Sequence, residues 1–206
     1  MKQTPFIAIE GPIGVGKTTL TYALTEHFSY NKLQEIVYEN PFLGKFYDDT
    51  DAWGFQTEMF FLANRIKQLE DIKKDYLDKQ LPVIADYHII KNLIFARQNL
   101  NPNKFVKFNK IYDILLDDLP KPNLLIILNG SLKTLKKHIF FRGREFEMNI
   151  EDEYLSSLIE HYQNLEVIFK EVYPDVPVFK IDVDEYDIVN NQDDLNKIIK
   201  MIEEVY

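Results

Sequence analysis

Residues Gly11-Pro12-Ile13-Gly14-Val15-Gly16-Lys17-Thr18 follow the spacing G-x-x-x-x-G-K-[ST]. They come directly after the apolar run Phe6-Ile7-Ala8-Ile9 and before a segment of helical period, the strand-loop-helix setting in which this spacing binds phosphate. Gly11 and Gly16 permit backbone turns closed to other residues, so successive N–H groups can converge on phosphate oxygens at a helix N-terminus. Lys17 would then reach the β and γ phosphates, and the Thr18 hydroxyl would join a Mg²⁺ shell. The whole stretch from Gly11 to Thr19 is expected to hold the triphosphate of ATP.

GTPases, motor ATPases and small-molecule kinases all carry such a loop. No N-K-x-D follows to read guanine as a GTPase would, and Asp86 is not followed by the Glu common in ATP hydrolases. These features favour a kinase acting on a small acceptor.

Two carboxylates end apolar runs. Glu39 follows Ile36-Val37-Tyr38, and Asp86 follows Pro82-Val83-Ile84-Ala85. An alcohol is a poor nucleophile until deprotonated, and a positioned carboxylate can take its proton. Asp86 equally suits Mg²⁺. The alternatives are local: Glu39 can cap the turn before Pro41, and Asp86 can cap a helix starting near Ile89. Arg142-Gly143-Arg144 lies between two helical segments and reads as a lid that closes two cations around a moving phosphoryl group. The alternative is a solvated loop whose charges pair with each other.

These groups need a frame. Further apolar runs at Glu35–Tyr38, Leu124–Leu128 and Val176–Ile181 join Phe6–Ile9 and Pro82–Ala85 as five strands buried on both faces. Helical periods fill the gaps over Thr18–Phe28, Trp53–Tyr76, Ile89–Leu100, Phe105–Leu119, Leu132–Phe141, Ile150–Val172 and Asp193–Val205, with Ser131 and Asn149 as N-caps. In the second of these, Met59, Leu62, Ile66, Leu69 and Ile72 share one face. Alternating strands and helices predict an α/β fold, a parallel five-stranded sheet flanked by helices on both faces. Ligands then gather at the carboxyl ends of the strands.

Composition sets the limits. The 206 residues fit a single domain, 1–206, with a core and a cleft. A formal net charge of -9 argues against a nucleic acid polymer as partner. No cysteine is present, the first residues lack a long apolar run, and no stretch reaches membrane-spanning length. A cytoplasmic protein is the expectation.

Taken together, Ile7-Ala8-Ile9-Glu10-Gly11-Pro12-Ile13-Gly14, Glu39-Asn40-Pro41-Phe42, Trp53-Gly54-Phe55-Gln56 and Arg142-Gly143-Arg144 resemble the deoxyribonucleoside kinase family over nearly the whole chain, most closely its bacterial deoxyguanosine kinase branch. The resemblance implies a P-loop kinase fold with an arginine-bearing lid, acting as a homodimer to transfer phosphate from ATP to the 5′-hydroxyl of a purine deoxyribonucleoside. It makes Glu39 the general base, with Asp86 as the other candidate. It places Phe55 and Gln56 on the base-reading helix, stacks Phe95 on the base, and puts Tyr47 and Glu147 at the sugar 3′-hydroxyl. Donor-base contacts fall to Asp182, Val183 and Asp184.

Three positions depart from the family. Tyr87 stands where many members have Arg, at the sugar 5′-oxygen or phosphate. His138 stands where many begin the lid with Arg. Asn92 stands where adenosine-type relatives carry Asp, and its amide can both donate to O6 and accept from N1–H of guanine. Deoxyadenosine or broader deoxynucleoside kinases, a thymidylate-type monophosphate kinase and a non-catalytic nucleotide-binding module are the remaining readings.

Overall fold

The structure is a computed structural model that describes residues 4–34, 40–116, 118–144, 147–148 and 150–205, apart from the side chains of Tyr47 and Val205. Its strands are β1 Phe6–Glu10, β2 Asn31–Leu33, β3 Val83–Ala85, β4 Leu124–Asn129 and β5 Val178–Asp182. All pair in parallel, in the order β2-β3-β1-β4-β5. β1 is buried at every residue, as a central strand covered on both faces must be.

Alternation along β1 divides the core. Ile7 and Ile9 point to one face, against Leu20 and Leu24 of helix α1 (Lys17–Phe28) and Ile198 and Ile202 of the C-terminal helix α9 (Gln192–Val205). Phe6 points to the other, against Leu62 and Leu69 of α3 (Thr50–Asp75) and Phe108 of α5 (Pro102–Leu115). Ala8 shares that second face with Ile94 of α4 (Lys91–Asn99), Leu158 of α7 (Asp152–Gln163) and Phe169 of α8 (Leu165–Val172). Helices therefore cover both faces, as the alternating pattern predicts.

Several boundaries differ from the sequence reading. The apolar run Glu35–Tyr38 lies outside the described residues, and the strand beside β3 is instead Asn31–Leu33. A short helix, α2 (Leu43–Asp48), precedes α3; its six residues are too few to show a period. The expected helix over Ile150–Val172 is two, broken at Asn164, whose φ of -92° and ψ of 0° sit at the edge of the right-handed region, away from regular helix values. Ser131 does cap α6 (Leu132–Arg142), accepting from Thr134 N at 3.4 Å, whereas Asn149 lies outside the described residues and Glu151 precedes α7. Asp86 caps no helix, because α4 begins at Lys91 with Ile90 before it. Among the described residues no helix is long and apolar enough to cross a membrane.

At the carboxyl end of β1 the buried Glu10 joins three elements. It accepts from Gly11 N at 3.2 Å, from His88 N at 2.6 Å in the turn after β3, and from Tyr162 Oη at 3.1 Å on α7. His88 packs edge-on against Phe169 and Tyr173, and burial lowers its pKa to about 3, so the ring stays neutral. Tyr162→Phe removes one donor to a fully buried carboxyl group, which costs about 1 to 3 kcal/mol. Urea unfolding of the two proteins should show that loss; an unchanged midpoint would mean the hydroxyl contributes nothing.

Candidate active site

The loop between β1 and α1 is shaped by close backbone approach. A Cβ on Gly11 would stand 2.6 Å from the Leu128 carbonyl oxygen, so only glycine lets the loop pass β4. Gly16, with φ of 103°, turns the chain left-handed into α1, and Ile188 from the β5–α9 connection packs where a Cβ would be. Helix α1 has no side-chain cap and no acid in its first turn, so its leading N–H groups suit an anion. Lys17 Nζ donates to the carbonyls of Gly11 at 2.6 Å and Pro12 at 3.0 Å, across the loop itself. Thr18 Oγ1 donates to Asp86 Oδ2 at 3.2 Å, which couples the loop to the end of β3. On the far side His138 Nδ1 lies 2.8 Å from the Gly14 carbonyl, and since a carbonyl only accepts, Nδ1 carries the proton.

A cleft of about 860 Å³, including its open mouth, runs from this loop to the inner side of α3 and α4. Lys17, Thr18 and Asp86 line it from the phosphate loop, the start of α1 and the end of β3, and Glu58, Lys91 and Phe95 from α3 and α4. Arg142 and Arg144 border it from the end of α6 onward, both held by the buried Glu147: Arg142 pairs with one carboxylate oxygen and Arg144 Nη1 lies 3.2 Å from the other. The arginines thus do pair with an acid, as the solvated-loop alternative had it, yet they line the cleft rather than pointing away.

Other predicted residues fall elsewhere. Gln56 is exposed on α3 and outside the cleft lining, and Phe55 packs into the core beside α5. Tyr87 is buried under α3, donates to Gln68 Oε1 at 2.8 Å and does not line the cleft. Asn92 is fully buried and outside the lining as well; its neighbour Lys91 takes the cleft-facing position, one residue away from the expected one. Asp184 accepts from Ser131 N at 2.8 Å and from the Thr134 hydroxyl, stapling the β5–α9 connection to the start of α6. Against a raising effect of burial, those bonds hold its carboxyl below the usual range. Val183 is buried in the same core cluster as Val15 of the phosphate loop, Asp182 is exposed, and none of the three lines the cleft. Glu39 and the Tyr47 side chain lie outside the described residues. Asn40, next in sequence to Glu39, is buried and donates to the Thr57 carbonyl at 3.4 Å, anchoring that segment to α3.

Three charged cleft residues escaped the sequence reading: Glu58 and Arg65 on α3, and Lys91 on α4. Arg65, 4% exposed, brings from α3 a guanidinium that Tyr87 cannot supply from the turn after β3. Glu58, 2% exposed, accepts from Asn99 Nδ2 at 2.8 Å through one oxygen, and its Oε2 has no hydrogen-bond partner. Burial lifts its pKa from 4.5 to about 7, against the opposing pull of the Asn99 bond, Arg65 and Lys91.

The sign of that shift fixes a pH dependence. The folded protein holds the Glu58 proton more tightly than the unfolded chain, so its contribution to stability falls as pH rises from about 4.5 to about 7 and stays lost above. Glu58→Gln keeps the acceptor for Asn99 and removes the ionisation. The variant should be more stable than the parent at pH 8, by up to about 3 kcal/mol, and the gap should close towards pH 5. A pH-independent difference in urea unfolding would refute the burial account.

Comparison with known proteins agrees with this geometry. The profile of the Deoxynucleoside kinase family matches residues 7–206. The chain is 49% identical to the deoxyguanosine kinase of Bacillus subtilis (strain 168) over 205 residues, covering 100% of this chain and 99% of the relative. It is 30% identical to the deoxyadenosine/deoxycytidine kinase of the same organism, covering 97% and 92%. Among solved structures, the deoxyadenosine kinase of M. mycoides with products dCMP and a flexible dCDP superposes with a TM-score of 0.81 at 27% identity, covering 97% of this chain and 99% of that one. With the phosphate loop, the strand-end acid and the enclosed cleft already in place, the chain belongs to the deoxynucleoside kinase family.

Proposed function

We propose that the protein transfers the γ-phosphoryl group of ATP to the 5′-hydroxyl of a purine deoxyribonucleoside, preferentially deoxyguanosine. The observation that carries this reading is the single cleft that joins a phosphate loop to an inner chamber holding a buried carboxyl, a cation and an aromatic ring. The high identity to a deoxyguanosine kinase supports the choice of base.

Donor phosphates would lie on the N–H groups of Gly11 to Thr19, with Lys17 turning from the loop carbonyls to the β and γ oxygens. Thr18 Oγ1 and Asp86 Oδ2 are adjacent hard oxygens and fit Mg²⁺, which takes one or two protein oxygens beside phosphate and water. When bound, the ion would withdraw charge from the β and γ phosphates. Arg142 and Arg144 would act as the lid cations, pre-aimed by Glu147, while His138 holds the loop at Gly14 in place of a further arginine. Asp182, Val183 and Asp184 would border the adenine of the donor.

The acceptor would enter with its base against Phe95 and its sugar towards Asp86, Tyr47 and Glu147. Glu39 is the proposed base for the 5′-hydroxyl, and Asp86 the alternative. A homodimer and a cytoplasmic location belong to the same proposal.

Radiolabelled ATP assayed with the four deoxynucleosides and deoxyguanosine monophosphate tests it. Turnover should be fastest with deoxyguanosine. Preference for deoxyadenosine would move the acceptor to the related branch, and for the monophosphate would overturn the neutral acceptor. Glu39→Gln should lose at least about 100-fold in kcat while deoxyguanosine still binds by calorimetry; normal turnover would transfer the role to Asp86.

A further inference from the structure

The inner chamber contains an acceptor that the protein itself leaves unused. Glu58 Oε2 is buried without a hydrogen-bond partner, and the adjacent Thr57 Oγ1 is in the same condition. Both side chains line the cleft. A buried polar atom without a partner is costly, and it persists where a ligand completes it. The other oxygen of Glu58 is fixed by Asn99, so the open one has a defined direction. Lys91 and Phe95 sit four residues apart on α4 and both line the cleft, with Lys91 Nζ 5.4 Å from the centre of the Phe95 ring, on the same stripe as the Asn99 that holds Glu58.

Among the four bases the hydrogen-bond patterns differ enough to choose. Guanine presents an O6 acceptor followed by two neighbouring donors, N1–H and the 2-amino group. Adenine presents a donor and then the N1 lone pair, which a carboxylate oxygen repels. Cytosine places two acceptors beside its amino group, and thymine has one donor between two acceptors. Only guanine offers a carboxyl group two adjacent donors with an acceptor beside them for a cation.

Resting on the acceptor assignment above, we propose that Glu58 is the residue that selects guanine. Oε2 accepts N1–H, and Oε1, which keeps a second lone pair beside its bond from Asn99, accepts the 2-amino group; Lys91 donates to O6, and the base lies along Phe95. The exposed Gln56 and the buried Asn92, neither of which lines the cleft, take no part in this contact.

The test is kcat/KM for deoxyguanosine, deoxyinosine and deoxyadenosine in the parent protein and in Glu58→Gln, with thermal melting to confirm folding. Deoxyinosine keeps O6 and N1–H but lacks the 2-amino group, so the parent should rank deoxyguanosine first, deoxyinosine about 10-fold lower, and deoxyadenosine last. The glutamine amide can turn to accept or donate, so the variant's preference for deoxyguanosine over deoxyadenosine should fall by about 100-fold. A folded variant that keeps the parental ratio would overturn the inference while leaving the kinase reading intact. Equal use of deoxyguanosine and deoxyinosine by the parent would overturn it without any variant. A parent that prefers deoxyadenosine would remove the acceptor assignment and the inference with it.

Discussion

A carboxylate at the end of the central strand, Glu10, holds the molecule's working parts in register. Its oxygens receive the first amide of the phosphate loop, an amide from the turn after β3, and a hydroxyl from α7. Those three elements converge at one point only if the acceptor is there, and the group is fully buried, so water cannot substitute for a lost donor. The position of Asp86 follows. It stands two residues before His88, whose backbone is tied to Glu10, and this sets it 3.2 Å from the Thr18 hydroxyl. The coupling between β1 and β3 thus becomes the coupling between phosphate loop and strand-end acid.

Glu58 is the counterpart. Both residues are buried carboxyl groups, yet one has its donors within the fold and the other, which lines the cleft, keeps an oxygen without a hydrogen-bond partner. A satisfied buried carboxylate organises backbone; one left short of partners stores free energy that a ligand can release. The two sit at opposite ends of the same chemistry. Glu10 shapes the donor site, and Glu58 lies in the chamber where an acceptor base would end.

Much of this was legible in the residues. The phosphate loop announces itself by spacing and context, and Asp86 and Phe95, both singled out from the sequence, line the cleft. What misled was helical phase. Successive residues on a helix turn by about 100°, so a shift of one or two positions moves a side chain to another face. Glu58 shares a stripe with Leu62, Arg65, Leu69 and Ile72, at spacings of four, seven, eleven and fourteen, and all five are buried. Gln56 lies off that stripe. Lys91, Phe95 and Asn99 repeat every four residues along α4, and Asn92 does not belong to the set. Testing the charged residues of Trp53–Tyr76 against its own apolar face would have found Glu58 and Arg65. Glu10 could not be found that way, because its partners in the turn after β3 and on α7 are 78 and 152 residues away. Arg142-Gly143-Arg144 is visible as a motif, but not that one buried carboxylate, Glu147, holds both arginines at once.

The most direct measurement is a crystal structure with deoxyguanosine and a non-hydrolysable ATP analogue bound together. The account predicts triphosphate on the amides from Gly11 to Thr19, the guanine edge against the Glu58 carboxyl group, and the 5′-hydroxyl facing the γ phosphate. A base lodged outside the chamber, with Glu58 still lacking a partner, would contradict it.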